Sequence, residues 1–154
     1  MLSFLEPNLG VARWIRCNGT PRHPSPHDKQ QRQPATILLL DDAPLLLSLA
    51  KTILGNYGHT ILEAPDGEAC VKIAQEYPDP IHLLVADIFM PGMNGRDVAT
   101  RLLAFRPQMK VLFMSGQSYK RIQNHGGFDS GFGFLMKPFT PETLLRKVSE
   151  ILNA

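Results

Sequence analysis

The sequence predicts an α/β protein with a doubly wound, five-stranded parallel sheet of strand order 2-1-3-4-5, with five helices. Between Thr36 and Leu152, short apolar runs of strand length alternate with segments whose apolar residues recur at helical spacing. Strands that are apolar throughout indicate a sheet covered by helices on both faces. Right-handed crossovers deliver helices to both sides, and the common five-stranded order has its switch point between strands 1 and 3.

The predicted strands are continuous apolar runs that end at polar or turn-forming residues. The first run is followed by Asp41-Asp42, the third by Asp87, the fourth by Ser115-Gly116 and the fifth by Lys137-Pro138. The five predicted strands are Thr36–Leu40, Thr60–Leu62, Ile81–Ala86, Val111–Met114 and Phe134–Met136.

The predicted helices begin at residues suited to a first turn and stop at glycine or proline. Pro44 suits the first turn of helix 1, Asp66 begins helix 2, Asn94-Gly95 opens helix 3, and Thr140 caps the last helix. A short fourth helix is predicted near Tyr119–His125. The predicted inward faces are Leu46, Leu49, Ala50, Ile53 and Tyr57; Cys70, Ile73, Ala74 and Tyr77; Val98, Ala99, Leu102 and Leu103; and Leu144, Leu145, Val148, Ile151 and Leu152.

The composition predicts a proline-rich basic tail over residues 1–34 and a folded domain over 35–154. The chain has 154 residues and a net charge of +2, of which the first 34 residues carry +3 and the rest −1. The body therefore lacks the basic face of a nucleic-acid-binding protein. Two isolated cysteines, no apolar run of membrane-spanning length and no signal-peptide pattern predict a cytoplasmic protein with no membrane contact.

The stretch Leu83–Gly95, LLVADIFMPGMNG, places Asp87 at the end of a buried strand. Strands 1 and 3 are neighbours in the predicted order, about 4.8 Å apart, so Asp41 and Asp42 should share a pocket with Asp87. Three crowded carboxylates repel one another unless a cation lies between them, and an all-oxygen cluster favours Mg²⁺. Asp41 and Asp42 could alternatively be no more than helix-start residues, and Asp87 a turn cap.

Ser115 and Lys137 reach the same sheet edge from strands 4 and 5. A hydroxyl and an ammonium group both suit phosphoryl oxygens. With a carboxylate nucleophile and a metal, the set predicts phosphoryl transfer onto Asp87 to give an aspartyl phosphate. Taken singly, Ser115 could be a turn residue and Lys137 a surface lysine.

The segments LLLDD, LLVADIFMPGMNG, VLFMSG and FLMKPF resemble those of the receiver domain of two-component response regulators. The resemblance implies Asp87 as the phosphoacceptor. It also implies that Asp41 and Asp42 form the acidic pair for Mg²⁺, with Asp42, Asp87 and the backbone carbonyl of Phe89 as direct ligands.

The same resemblance implies roles for three residues of strands 4 and 5. Ser115 would turn toward the phosphoryl group, Lys137 would supply its counter-charge, and Phe134 would be the switch aromatic that follows Ser115. The Lys137–Pro138 bond is similar to one that is cis in the family.

The resemblance implies a sensor histidine kinase or histidine phosphotransfer protein as phosphodonor. We expect a stand-alone receiver, similar to receivers fused to hybrid sensor kinases, with an unknown downstream protein target. Its signalling surface would be formed by the fourth predicted helix, strand 5 and the last helix, with phosphorylation-dependent dimerisation as one outcome. A phosphate shuttle or sink is the alternative, and no nucleic-acid target is expected.

Two positions depart from the family pattern. Ala43 replaces a third acid, which predicts modest metal affinity. Phe89, two residues beyond Asp87, is bulky and apolar, and we hypothesise that it excludes water and prolongs the phosphorylated state.

Three functions from other classes remain open at this point. A flavodoxin-like electron carrier shares the predicted fold, but Asp41-Asp42 would repel its phosphate. An aspartyl phosphatase would require a second acid at the position that Phe89 occupies. A nucleic-acid binder would act through the basic tail.

Overall fold

The computed structural model describes residues 33–117, 122 and 131–154, and Pro34–Ala154 forms a compact unit. Its five strands are β1 (Thr36–Leu40), β2 (Thr60–Ala64), β3 (Leu83–Asp87), β4 (Lys110–Ser115) and β5 (Gly133–Met136). Its helices are α1 (Pro44–Asn56), α2 (Gly67–Glu76), α3 (Gly95–Phe105) and α4 (Pro141–Leu152). The predicted tail lies outside the described residues except for Gln33 and Pro34.

The strands form one fully parallel sheet of order β2-β1-β3-β4-β5, which confirms the predicted fold. Four helices are present among the described residues. The remaining predicted helix, near Tyr119–His125, lies outside them apart from Ile122, which is helical and buried.

Alternation along the strands divides the core into two layers. Leu38 and Leu40 of β1 point to the face covered by α2 and α3, whereas Ile37 and Leu39 point to the face covered by α1 and α4. Successive side chains of a strand point to opposite faces, so a strand buried on both sides must be apolar at every position. This is why the strands read as continuous apolar runs.

The inward face of α1 differs from the prediction. Leu47, Ala50 and Leu54 are buried, whereas Leu49, which was predicted to point inward, is 48% exposed. Three consecutive leucines at 45–47 allow more than one helical phase, so spacing alone does not identify the buried stripe. As a result Leu45, 86% exposed, and Leu49 lie on the surface.

Two basic side chains donate hydrogen bonds to backbone carbonyls at helix ends and in a loop. The Arg106 guanidinium donates to the backbone carbonyls of Ala74, Tyr77 and Asp79, at 2.8, 2.6 and 3.0 Å. Lys110 of β4 donates to the carbonyl of Ile151, at 2.8 Å, near the end of α4. Carbonyls at a helix C-terminus lack partners within the helix, and a cation there also interacts favourably with the negative end of the helix dipole.

None of the helices in the described part of the chain is both long enough and apolar enough to span a membrane.

Candidate functional site

Three carboxylates converge at the carboxyl edge of the sheet. Asp41 follows β1 and Asp87 ends β3, and the two strands are paired so that Leu40 lies opposite Ala86. One oxygen from each of Asp41, Asp42 and Asp87 lies within 4.8 Å of the others. The switch point of the fold therefore brings together the acids that the sequence predicted.

Asp41 is the buried anchor of the cluster, with 1% of its surface exposed. One carboxylate oxygen, Oδ1, accepts the backbone N–H of Ala43 at 2.9 Å. The other, Oδ2, accepts from Lys137 Nζ at 2.6 Å. Both oxygens are thus engaged, which satisfies a charge that would be costly to bury alone.

Asp87 is buried beside this ion pair and keeps a looser contact with the lysine. Its Oδ2 lies 3.4 Å from Lys137 Nζ. Burial raises the pKa of the Asp87 carboxyl above its ordinary value; the Lys137 ammonium opposes this rise, and the charge of Asp41 adds to it. A cation placed in the pocket would restore the ionised form.

Asp42 is the exposed member of the three acids, so the cluster opens to solvent on its side. An all-oxygen donor set with one solvent-facing carboxylate fits a hard divalent cation such as Mg²⁺, which keeps several of its waters. The residues of this pocket therefore fit the metal that the sequence predicted.

Ser115 ends β4, next to the strand that carries Asp87, and is buried. Its hydroxyl accepts the backbone N–H of Gln117 at 3.0 Å, and its carbonyl accepts the backbone N–H of Lys137 at 2.8 Å. The sheet ladder thus joins Ser115 directly to the lysine of the site. The Lys137–Pro138 peptide is cis, as the resemblance implies.

The two predicted phenylalanines differ in burial. Phe134 of β5 is partly buried, pairs in register with Phe113, and packs against the core under α2 and α3. The Phe89 side chain is 44% exposed. The backbone N–H of Ala43 as a donor to Asp41 could not be predicted from the sequence, because every residue except proline carries such a group.

The fold and the site define a doubly wound α/β domain with an acidic, lysine-linked pocket at its switch point. Residues 37–149 match the response regulator receiver domain family. The chain therefore belongs to that family, the receiver domains of two-component phosphorelay signalling.

Relatives include both long kinases and short single-domain proteins. The chain is 31% identical over 119 residues to the sensor kinase CckA of Brucella abortus, matching 77% of this chain and 13% of that protein. It is 31% identical over 121 residues to protein PilH of Pseudomonas aeruginosa, matching 77% of this chain and 98% of PilH. The chain thus spans a small part of some relatives and nearly all of others.

Solved structures agree with the fold. The receiver domain of the hybrid histidine kinase CckA superimposes with a TM-score of 0.66 at 31% identity, covering 77% of this chain and 99% of that one. A response regulator receiver protein of Sinorhizobium medicae gives a TM-score of 0.69 at 28% identity, covering 79% and 97%.

Proposed function

We propose that the chain accepts a phosphoryl group on the Asp87 carboxylate and signals in that form. The observation that supports this most strongly is the position of Asp87 between a lysine ammonium and two further carboxylates. Lys137 Nζ lies 3.4 Å from Asp87 Oδ2 and is itself held by Asp41. A nucleophilic carboxylate, a fixed cation and an acidic metal pocket are the parts that phosphoryl transfer requires.

The chemical step is a displacement at phosphorus. An Asp87 oxygen forms the new O–P bond while the N–P bond of a phosphohistidine breaks, and the leaving imidazole takes up a proton. Lys137 then faces the phosphoryl oxygens, and Ser115 is the nearby hydroxyl that we assign as their second donor. Positioning and charge neutralisation supply most of the acceleration in such transfers.

Asp41, Asp42, Asp87 and the backbone carbonyl of Phe89 would hold Mg²⁺. When bound, the ion neutralises charge that develops on the transferring phosphoryl group. This assignment rests on the oxygen cluster, and the burial that raises the pKa of Asp87 is a cost that a bound cation would offset.

We further propose that the donor is a sensor histidine kinase or histidine phosphotransfer protein that docks on α1. The exposed Leu45 and Leu49 give α1 an apolar face toward solvent. A cavity of about 370 Å³ adjoins it and reaches the site lysine. Its lining residues are Leu46, Leu49, Lys137, Pro138 and Phe139. Exposed apolar side chains that border a reactive site are typical of a docking surface.

We propose that the phosphorylated state is signalled through a switch formed by Ser115, which ends β4, and Phe134, which lies in the adjacent strand β5. Their movement would alter the surface that includes β5 and α4, where Met136 is half exposed. Residues 35–154 are the proposed receiver domain, with residues 1–34 as a separate tail.

The test is incubation of the purified chain with acetyl phosphate, with Mg²⁺ or with EDTA, followed by intact-mass measurement. The proposal predicts the addition of one phosphoryl group only with Mg²⁺. Asp42→Asn should shift the Mg²⁺ dependence to higher concentration, whereas Asp79→Asn, an exposed acid after α2, should leave it unchanged. Equal addition in EDTA would contradict the metal assignment.

A further inference from the structure

Gly95, the first residue of α3, packs directly against the backbone of Asp87. A Cβ placed on Gly95 would lie 2.0 Å from the carbonyl oxygen of Asp87 and 2.9 Å from its carbonyl carbon. Real Cβ atoms do not approach other atoms to less than 3.0 Å, so any side chain here must displace the peptide that joins Asp87 to Ile88. The helix can begin at this point only because Gly95 has no side chain.

The same glycine closes the loop that follows the strand. Its N–H donates to the carbonyl of Ile88 at 3.0 Å, and the N–H of Ile88 donates to Met114 of β4 at 3.0 Å. The start of α3 therefore fixes the path of the backbone that carries the Asp87 carboxylate.

We propose that Gly95 is a positioning residue for phosphoryl transfer: the close approach of α3 to the Asp87 peptide sets where the Asp87 carboxylate lies relative to Asp41 and Lys137. This inference rests on the proposed function of Asp87. Gly95 itself touches neither the metal pocket nor the phosphoryl group, and it acts through the backbone of the residue that does.

Two other buried or partly buried glycines show that this contact differs from ordinary tight packing. A Cβ on Gly67, the first residue of α2, would meet the side chains of Val98 and Met93. A Cβ on Gly133 of β5 would meet the end of the Ile151 side chain at 2.2 Å. Side-chain ends can rotate away, whereas the Asp87 peptide is held in the sheet and can move only by moving Asp87.

The test compares Gly95→Ala with Gly133→Ala, in which the added Cβ meets the end of a side chain and does not touch the site. Mg²⁺ binding to the unphosphorylated protein is followed by amide chemical shifts, and the phosphorylation rate with acetyl phosphate is measured as Mg²⁺ and acetyl phosphate are varied. We expect Gly95→Ala to weaken Mg²⁺ binding and to lower the rate by about 100-fold, as misplacement of a reacting group does. Gly133→Ala should lose stability by overpacking but keep the Mg²⁺ affinity and the phosphorylation rate of wild type.

A second pair of variants covers the case in which Gly95→Ala does not fold. Asn94 caps α3 by accepting the N–H of Arg96 at 2.7 Å. Asn94→Ala loosens the first turn without adding atoms, and we expect a smaller loss of Mg²⁺ affinity and rate that Asn94→Ser, which keeps a capping oxygen, restores.

The outcomes separate the two proposals. Wild-type protein that neither binds Mg²⁺ nor gains a phosphoryl group contradicts the proposed function itself. If wild type does both, and if Gly95→Ala matches Gly133→Ala or Asn94→Ala matches wild type, the positioning role of Gly95 is overturned.

Discussion

Lys137 and Asp41 form the shortest ion pair of the site, with Nζ 2.6 Å from Oδ2, while Asp87 lies 3.4 Å from the same ammonium. Asp41 is buried, so the lysine pairs with a carboxylate that has little access to water. The lysine beside Asp87, the proposed phosphoacceptor, is therefore held in place by a neighbouring acid rather than by Asp87 itself.

This pairing predicts that Lys137→Met destabilises the metal-free fold. The substitution leaves the buried Asp41 carboxylate without its partner, which costs about 3 kcal/mol. Urea unfolding measures the loss. Lys147→Met is the matched control, because Lys147 pairs with Glu150 at the surface and such pairs contribute little. Equal losses in the two variants would show that Lys137 does not stabilise Asp41.

Asp87→Asn is expected to stabilise the metal-free fold at neutral pH. Because burial raises the pKa of Asp87 in the folded state, ionisation of the carboxyl lowers the stability as pH rises through the folded pKa. Asparagine avoids that loss, so we expect the free energy of unfolding at pH 7 to rise. The difference from wild type should shrink as pH falls.

Urea unfolding of wild type and Asp87→Asn across a range of pH checks this sign. Asp79→Asn, at an exposed acid, should show no such pH-dependent difference. Saturating Mg²⁺ should stabilise wild type and leave Asp87→Asn little changed, since only the intact pocket gains binding energy. A variant less stable than wild type at pH 7 without metal would contradict the prediction.

Charged substitutions on α1 should separate protein donors from small ones. Leu45→Glu with Leu49→Glu should lower the rate of transfer from a phosphohistidine protein that phosphorylates wild type, and leave phosphorylation by acetyl phosphate unchanged. Phe105→Glu is the control, because Phe105 is 43% exposed on α3 and lies outside the proposed docking face. Equal loss with both donors would indicate damage to the site, and no loss with either would remove α1 from the docking surface.

Phe89→Asn should shorten the lifetime of the phosphorylated form. The Phe89 side chain projects from the loop beside Asp87, and its apolar surface would hinder a water from approaching the acyl phosphate. Phosphate release after removal of acetyl phosphate measures the lifetime, with Phe105→Asn as a control at another exposed phenylalanine. Unchanged release in Phe89→Asn would eliminate the shielding role.

The strand order and the acidic cluster could be predicted because both follow from local patterns. Continuous apolar runs locate buried strands, and the switch point of the 2-1-3-4-5 order brings the ends of strands 1 and 3 together, so Asp41 and Asp87 meet. The face of α1 could not be predicted in the same way, because consecutive leucines fit several phases and the sheet selects Leu47 and Leu54.

Contacts between residues that are far apart in the chain could not be predicted from the sequence either. Arg106 reaches one carbonyl in the last turn of α2 and two just beyond it, and nothing in its neighbourhood along the chain indicates these contacts. Gly95 had no distinguishing sign in the sequence, since Gly67 likewise begins a helix. Its contact with the Asp87 carbonyl becomes evident only in three dimensions.

The central claim is that Asp87 is the phosphoacceptor, and mapping the modification tests it most directly. Wild type, Asp87→Asn and Asp42→Asn are treated with acetyl phosphate and Mg²⁺, trapped by borohydride reduction of the acyl phosphate, and digested for peptide mass analysis. The reduction releases phosphate and converts the phosphorylated aspartate to homoserine, so the account predicts homoserine at position 87 of wild type and none in Asp87→Asn. Homoserine in Asp87→Asn, or in wild type only at another residue, would contradict it.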